Sequence, residues 1–133
     1  MLFKLSDGSL KEHPITRGRA EAEGVDSVAT FTGSAFQVDG DARPLLILAP
    51  SVSSFLTSTA GQITSETPRV RVGGWYQGAV IRFGKGRVAV FGEAAMFSAQ
   101  LAGPNKVPFG MNRPGIDNRQ LALNIMHWLS RLL

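Results

Sequence analysis

The stretch QGAVIRFGKGRVAVF, residues 77–91, decides the expected fold. β-forming side chains dominate both halves, and the connection Gly84-Lys85-Gly86 offers glycine for the positive φ that a tight hairpin needs. The stretch therefore predicts two paired strands over residues 77–83 and 87–91. Because residues 88–91 are apolar on both faces, we expect the second strand to lie in the centre of the sheet and the first nearer an edge.

A helix is predicted over residues 117–132. Asp117 is the expected N-cap, and Gln120 three residues later would complete a capping box. Apolar residues recur at helical spacing and should pack the helix onto the sheet, with Asn124 and His127 on the opposite, polar side. The predicted apolar stripe consists of Leu121, Ile125, Trp128, Leu129 and Leu132.

The remaining patterns complete one α/β domain over residues 1–133. They predict two further strands, near residues 25–32 and 45–48, and the apolar run of the second is typical of a strand buried on both faces. Short helices are expected at residues 94–101 and near residues 52–56, with loops over the rest of 51–68 and over 103–115. The expected architecture is a mixed or partly parallel sheet of four to five strands with the 117–132 helix packed on it.

Composition excludes several classes of protein. Hydrophobic residues make up 44% and charged residues 18% of the 133 residues, which excludes a disordered tail. No apolar run reaches the ~18 residues of a membrane span, and no signal peptide is visible. The chain has no cysteine, which excludes disulfides, thiolate metal sites and cysteine nucleophiles. Its two histidines lack metal-ligand spacing, so we expect no metal, and no cofactor is expected either. Because no signal peptide or membrane span is visible, we expect a cytoplasmic protein.

The charge is unevenly distributed along the chain. The net charge is +4, and no acidic residue lies between Glu66 and Glu93, whereas five basic residues do. Such a basic stretch, residues 69–87, is one footprint of nucleic-acid binding. A solvated protein surface explains it equally, and we favour that interpretation because charge alone identifies no partner. The five residues are Arg69, Arg71, Arg82, Lys85 and Arg87.

Two junctions carry candidate binding residues. Glu93 follows the predicted 87–91 strand, and in open α/β sheets ligands bind beyond the carboxyl ends of strands. The carboxylate could act there as a general base or ligand-binding group, or simply stabilise the start of a helix. The segment Trp75-Tyr76-Gln77 follows two glycines and could form an aromatic platform for a sugar or a base, although core or interface packing is the commoner role of such aromatics.

Three segments carry a family resemblance: HPITRG at 13–18, GKGRVAVFGEAAMF at 84–97, and DNRQ with NIMHWL at 117–129. They resemble the C-terminal half of the class I glutamine amidotransferase-like superfamily, in its non-amidotransferase branches. The resemblance implies a truncated flavodoxin-like fold whose N-terminal half is missing. Amidotransferase activity does not carry over, because the family's cysteine nucleophile has no counterpart here.

We therefore expect a non-catalytic binding or interaction protein with an unknown small-molecule ligand. The candidate ligand-binding residues are His13, Arg17, Trp75, Gln77 and Glu93, and no catalytic residue is assigned. The alternatives are a small hydrolase-like enzyme using Glu93 with His13, and a nucleic-acid binder using residues 69–87. Since the sequence supplies few helices to cover a sheet, we also expect a homodimer.

Overall fold

The computed structural model describes residues 1–59 and 61–133. Single 3₁₀ turns at Glu21–Glu23 and Ala95–Phe97 supplement the regular elements. These elements are β1 (Leu2–Lys4), α1 (Pro14–Arg17), β2 (Ser27–Ala29), β3 (Arg43–Ile47), β4 (Ser53–Phe55), β5 (Arg69–Arg71), β6 (Tyr76–Phe83), β7 (Gly86–Phe91), β8 (Ala99–Ala102), β9 (Val107–Gly110) and α2 (Asn118–Leu129).

All strand pairs in the described ranges are antiparallel. The nine strands form four small sheets, β1-β2, β3-β6-β7, β4-β5 and β8-β9. The predicted partly parallel, truncated flavodoxin-like α/β fold is therefore wrong. Leu45 and Leu46 have no exposed surface, so β3 is buried on both sides as its apolar run predicts. Burial on both sides does not fix strand direction, however, and the long connection from β3 to β6 brings the chain back antiparallel.

The β6–β7 hairpin confirms the two strands predicted from residues 77–91. Gly84 has φ +55°, and the turn pairs Phe83 with Gly86. The predicted positions in the sheet were reversed, because β6 is central and β7 lies at an edge. Val88 and Val90 are 41% and 47% exposed, so the apolar character of β7 reflects an uncovered face rather than a central position.

Three other segments differ from the expected elements. The predicted 94–101 helix shrinks to one 3₁₀ turn, and residues from Ala99 onward form the β8–β9 hairpin, closed by a turn with positive φ at Gly103 and Lys106. The predicted helix near 52–56 is strand β4, paired with β5. The predicted loop over 51–68 includes Ala60, which lies outside the described residues. The strand expected over 25–32 is limited to β2, which pairs with β1.

Helix α2 is confirmed, with Asp117 at its N-cap, but the predicted capping box between Asp117 and Gln120 is wrong. The Asp117 side chain makes no hydrogen bond within the helix. Its Oδ2 instead accepts the backbone N–H groups of Asp26 and Ser27, at 2.9 and 3.0 Å. Gln120 donates to the Oδ1 of Asn124 at 2.9 Å. The carboxylate thus ties the start of α2 to the edge of β2 rather than capping its own helix.

The buried face of α2 is rotated from the predicted stripe. Leu129 and Leu132 are exposed, whereas Asn118 and Asn124 have no exposed surface. Asn124 was expected on the polar side, yet its Nδ2 donates to the carbonyl oxygens of Ile15 and Glu23, both at 2.8 Å. Two asparagines thus face inward because they bind backbone groups of other elements, while leucines face outward.

Apolar side chains remain uncovered on the outer side of α2 and along β7. Leu123, Met126 and Leu132 on or after α2 are 47%, 62% and 61% exposed. The expected homodimer stays a prediction, which light scattering can check against the 14.3 kDa chain. No helix in the described part of the chain combines the length and apolar character that a membrane crossing requires.

Candidate functional site

A cleft of about 740 Å³ opens between the β3–β6 part of the three-stranded sheet, helix α1 and the loop before β3. We call it the basic cleft. Its volume lies within the range of small-molecule sites, roughly 300–1,000 Å³. The lining residues come from four parts of the chain: His13, Pro14, Arg17, Gly40, Asp41, Ala42, Arg43, Val80, Ile81, Arg82 and Trp128.

Strand register places two arginines on the same face of the sheet. Arg43 on β3 pairs with Val80 on β6, and Arg82 lies two residues further along β6. Paired residues and alternate residues of a strand project to the same side, so both guanidinium groups belong to the face that lines the basic cleft. Arg17, at the end of α1, adds a third.

The positive charge in the basic cleft is only partly compensated. Within the described ranges, the one ion pair within 4 Å joins Arg19 and Glu23, away from the cleft lining. Asp41 lines the basic cleft with three arginines, so the lining carries a formal charge of 3 − 1 = +2. All three arginines are exposed at the cleft rim, where a ligand can reach them.

A fourth arginine, Arg87, stands directly opposite Arg82 across the β6–β7 hairpin. Its Nη1 donates to the carbonyl oxygens of Trp128 and Leu133, at 2.5 and 2.6 Å, and its guanidinium lies 5.2 Å from the Trp128 ring centroid. Like charges directly opposite each other destabilise a sheet. Arg87 is held by carbonyls behind the cleft, and this leaves Arg82 as the accessible member of the pair.

His13 is the N-cap of α1 and also lines the basic cleft. Its Nδ1 accepts the backbone N–H of Ile15 at 3.2 Å, and its ring meets the Trp128 ring edge to face at 5.3 Å. Burial, followed by the positive charges of Arg43, Arg17, Arg87 and Arg82, lowers the pKa of His13 from 6.5 to about 4. His13 is thus neutral at pH 7 and offers Nε2–H as a donor.

We expect the stability of the protein to fall as the pH drops from 6.5 to 4. The unfolded chain binds a proton at His13 near pH 6.5, whereas the folded chain resists it until about pH 4. His13→Asn keeps a side-chain acceptor at the N-cap but removes the titrating group. Relative to this variant, the wild type should lose about 2 kcal/mol of unfolding free energy across the window, allowing for the partial solvation of the ring. Urea denaturation at several pH values measures it, and parallel curves for both proteins would contradict it.

Glu93 is placed where the sequence predicted it, after a strand, but not beside a cleft with His13. It is 4% exposed, and its two carboxylate oxygens accept the N–H groups of Ala95 and Met96 at 2.7 and 2.9 Å. Glu93 therefore stabilises the start of the 3₁₀ turn, as in the alternative to a ligand-binding role that the sequence left open. Beside it, Ser34 donates to the carbonyl of Gly92 at 2.8 Å, and a Cβ at Gly92 would lie 2.0 Å from the Ser34 oxygen.

Trp75 and Gln77 lie away from the basic cleft. Trp75 is half-buried against the hydrophobic core. Gln77 is 4% exposed, with its Oε1 accepting the Thr30 hydroxyl at 2.8 Å and its Nε2 donating to the Thr32 carbonyl at 3.0 Å. Of the five candidate residues, the structure brings only His13 and Arg17 together in this cleft.

Sequence reasoning missed Arg43, and it named Arg82 only within the basic stretch 69–87, not beside His13 and Arg17. For Arg82 a signal existed, since the short turn after Phe83 fixes the register and sets Arg82 against Arg87. A cross-strand pair of like charges in a short hairpin indicates that another group binds one of the two charged side chains. Arg43 gave no such signal, because its position beside Val80 depends on a long-range pairing.

The basic stretch 69–87 is divided between separate elements. Arg69 and Arg71 lie on β5, which pairs with β4 in a two-stranded sheet, whereas Arg82 and Arg87 lie on the three-stranded sheet. The Arg69 guanidinium packs 4.5 Å from the ring centroid of Phe55. Within residues 1–59 and 61–133, no three acidic or histidine side chains lie close enough together to hold a metal ion.

No family model, curated protein or solved structure was found to match the chain. The resemblance to the glutamine amidotransferase-like superfamily therefore stays a prediction, and the flavodoxin-like fold it implied is corrected above.

Proposed function

We propose that this chain is a non-catalytic binding protein whose ligand is a small anion, such as a phosphate- or carboxylate-bearing molecule, held in the basic cleft. The observation that carries the proposal is the convergence of Arg17, Arg43 and Arg82 on one cleft without ion-pair partners in the described residues. Guanidinium groups bind phosphates and carboxylates through paired, charge-assisted hydrogen bonds. His13 adds a neutral donor beside them.

The alternatives require rearrangements that the contacts oppose. A hydrolase using Glu93 with His13 needs both groups in one cleft, yet Glu93 is held by the N–H groups of Ala95 and Met96. A nucleic-acid binder using residues 69–87 needs the five bases on one accessible face, yet Arg87 is engaged with two carbonyl oxygens. Binding of a small anion needs neither change.

We expect inorganic phosphate to shift the backbone amide resonances of residues 13, 15–17, 40–43 and 80–82 in a ¹H–¹⁵N NMR titration at fixed ionic strength. Arg43→Gln and Arg82→Gln should each weaken binding about tenfold, since a hydrogen bond to a charged group contributes roughly 1.5–3 kcal/mol. The smaller value applies to these exposed side chains.

Arg119→Gln is the matched control, because Arg119 is also exposed but lies on α2 outside the basic cleft. It should leave the phosphate affinity unchanged. The proposal fails if millimolar phosphate moves none of these resonances, or if all three substitutions weaken binding equally, which would indicate attraction to net charge alone.

A further inference from the structure

A second depression borders the basic cleft, and its residues Ala79 and Val90 project from the face of the sheet opposite to Val80. This depression, which we call the apolar groove, has a volume of about 390 Å³. It shares Ala42, Val80 and Ile81 with the basic cleft. Its remaining lining is almost entirely apolar: Phe36, Gln37, Val38, Ala79, Val90, Phe91 and Gly92.

Unequal strand lengths leave a notch at the edge of the sheet, next to the residues that the two depressions share. Strand β3 begins at Arg43, opposite Val80, whereas β6 continues to Phe83. Among the described residues, 81–83 of β6 therefore have a strand neighbour on the β7 side alone. At this notch Ile81 is half-buried, and it lines both depressions together with Ala42, the residue before β3.

We propose that the two depressions together hold a single-chain amphiphile, with its anionic head group among the arginines of the basic cleft and its alkyl chain in the apolar groove. The head-group part rests on the proposed function. The alkyl-chain part rests on adjacency and chemistry: an apolar groove that shares three lining residues with a cleft of net positive charge matches a molecule carrying both properties. Apolar side chains along the groove, Val90 at 47% exposure among them, would be covered by the alkyl chain.

Octyl phosphate, measured below the concentration at which it forms micelles, tests the inference against inorganic phosphate. Each buried methylene strengthens binding, and a partly covered eight-carbon chain should make octyl phosphate about 100-fold tighter. Its addition should also shift the amide resonances of residues 36–38 and 90–92, which inorganic phosphate should leave in place.

A matched pair of substitutions tests where the alkyl chain binds. Val90 lines the apolar groove, whereas Val88 on the same strand and with similar exposure, 41%, does not. Val90→Asn should weaken octyl phosphate about tenfold and leave inorganic phosphate unchanged, since a polar group replaces an apolar contact. Val88→Asn should change neither affinity, and it shows that this strand tolerates the substitution.

The outcomes separate the two proposals. Octyl phosphate binding no tighter than inorganic phosphate, or weakened equally by both valine substitutions, would overturn the amphiphile and leave the anion site standing. Octyl phosphate binding equally to the wild type and to Arg43→Gln would overturn the anion site as well.

Discussion

Asn118→Ala should lower the free energy of unfolding by about 3–5 kcal/mol, although the residue is polar and stands at the first turn of a helix. Asn118 has no exposed surface. Its Oδ1 accepts the N–H of Ala29 at 2.8 Å, and its Nδ2 donates to the carbonyls of Ala29 and Met96 at 2.8 and 3.2 Å. Truncation leaves three backbone groups without partners, and each such buried group costs roughly 1–3 kcal/mol.

Urea denaturation followed by circular dichroism measures the effect, with Asn112→Ala as the control. Asn112 also donates from its amide to a backbone carbonyl, that of Gln100 at 3.3 Å, but at an exposed position. Water replaces that bond, so its loss should change stability by less than about 0.5 kcal/mol. Equal losses in the two variants would show that Asn118 is not the buried link between α2, β2 and the 3₁₀ turn.

The Asn118 contacts also explain the docking of α2. The N–H of Asp117 donates to the Ser27 carbonyl at 2.8 Å, and its carboxylate accepts two further N–H groups of the same segment. Asn118 then continues this pattern at Ala29. Residues 117 and 118 thus satisfy the edge of β2 that β1 leaves open, much as a third strand would.

Local patterns predicted the parts of the fold that depend on local geometry. The turn at 84–86 brings together residues a few positions apart, and the periodicity of 118–129 predicts a helix whatever it packs against. The same periodicity misplaced the buried side of that helix. Asn118 and Asn124 are inward because of carbonyls about 90 to 110 residues away, at Ala29, Ile15 and Glu23, and no local rule anticipates such partners.

Like the fold, the candidate site was predictable where its residues lie close together in the sequence, and not where long-range pairing places them. His13 and Arg17 belong to one capped turn, so a local motif led to both. Arg43 enters the basic cleft through pairing of β3 with β6, which are separated by the long 48–75 connection. The expected site at Glu93 followed a rule for parallel sheets, and it lost its basis once the sheet proved to be antiparallel.

Trp128→Ala should lower the free energy of unfolding by about 3–5 kcal/mol, the usual cost of truncating a buried aromatic side chain. Trp128 is 3% exposed and joins the hydrophobic core to the basic cleft, with His13 at its ring edge and the Arg87 guanidinium over its ring. Truncation leaves a cavity and removes the surface that shields His13 from water. The pKa of His13 should therefore rise from about 4 toward its ordinary value of 6.5, as an NMR titration of the ring can show.

Leu129→Ala is the control for this substitution, because the neighbouring side chain on the same helix is 36% exposed and should cost less than about 1 kcal/mol. Trp128→Phe keeps an aromatic ring between His13 and Arg87, so it should retain more than half of the lost stability and keep the pKa of His13 low. The two measurements test different contacts. A stability loss without a change in the His13 pKa would place Trp128 in the core but not beside the cleft histidine. Equal effects of Trp128→Ala and Leu129→Ala would contradict the orientation of α2, and with it the back wall of the basic cleft.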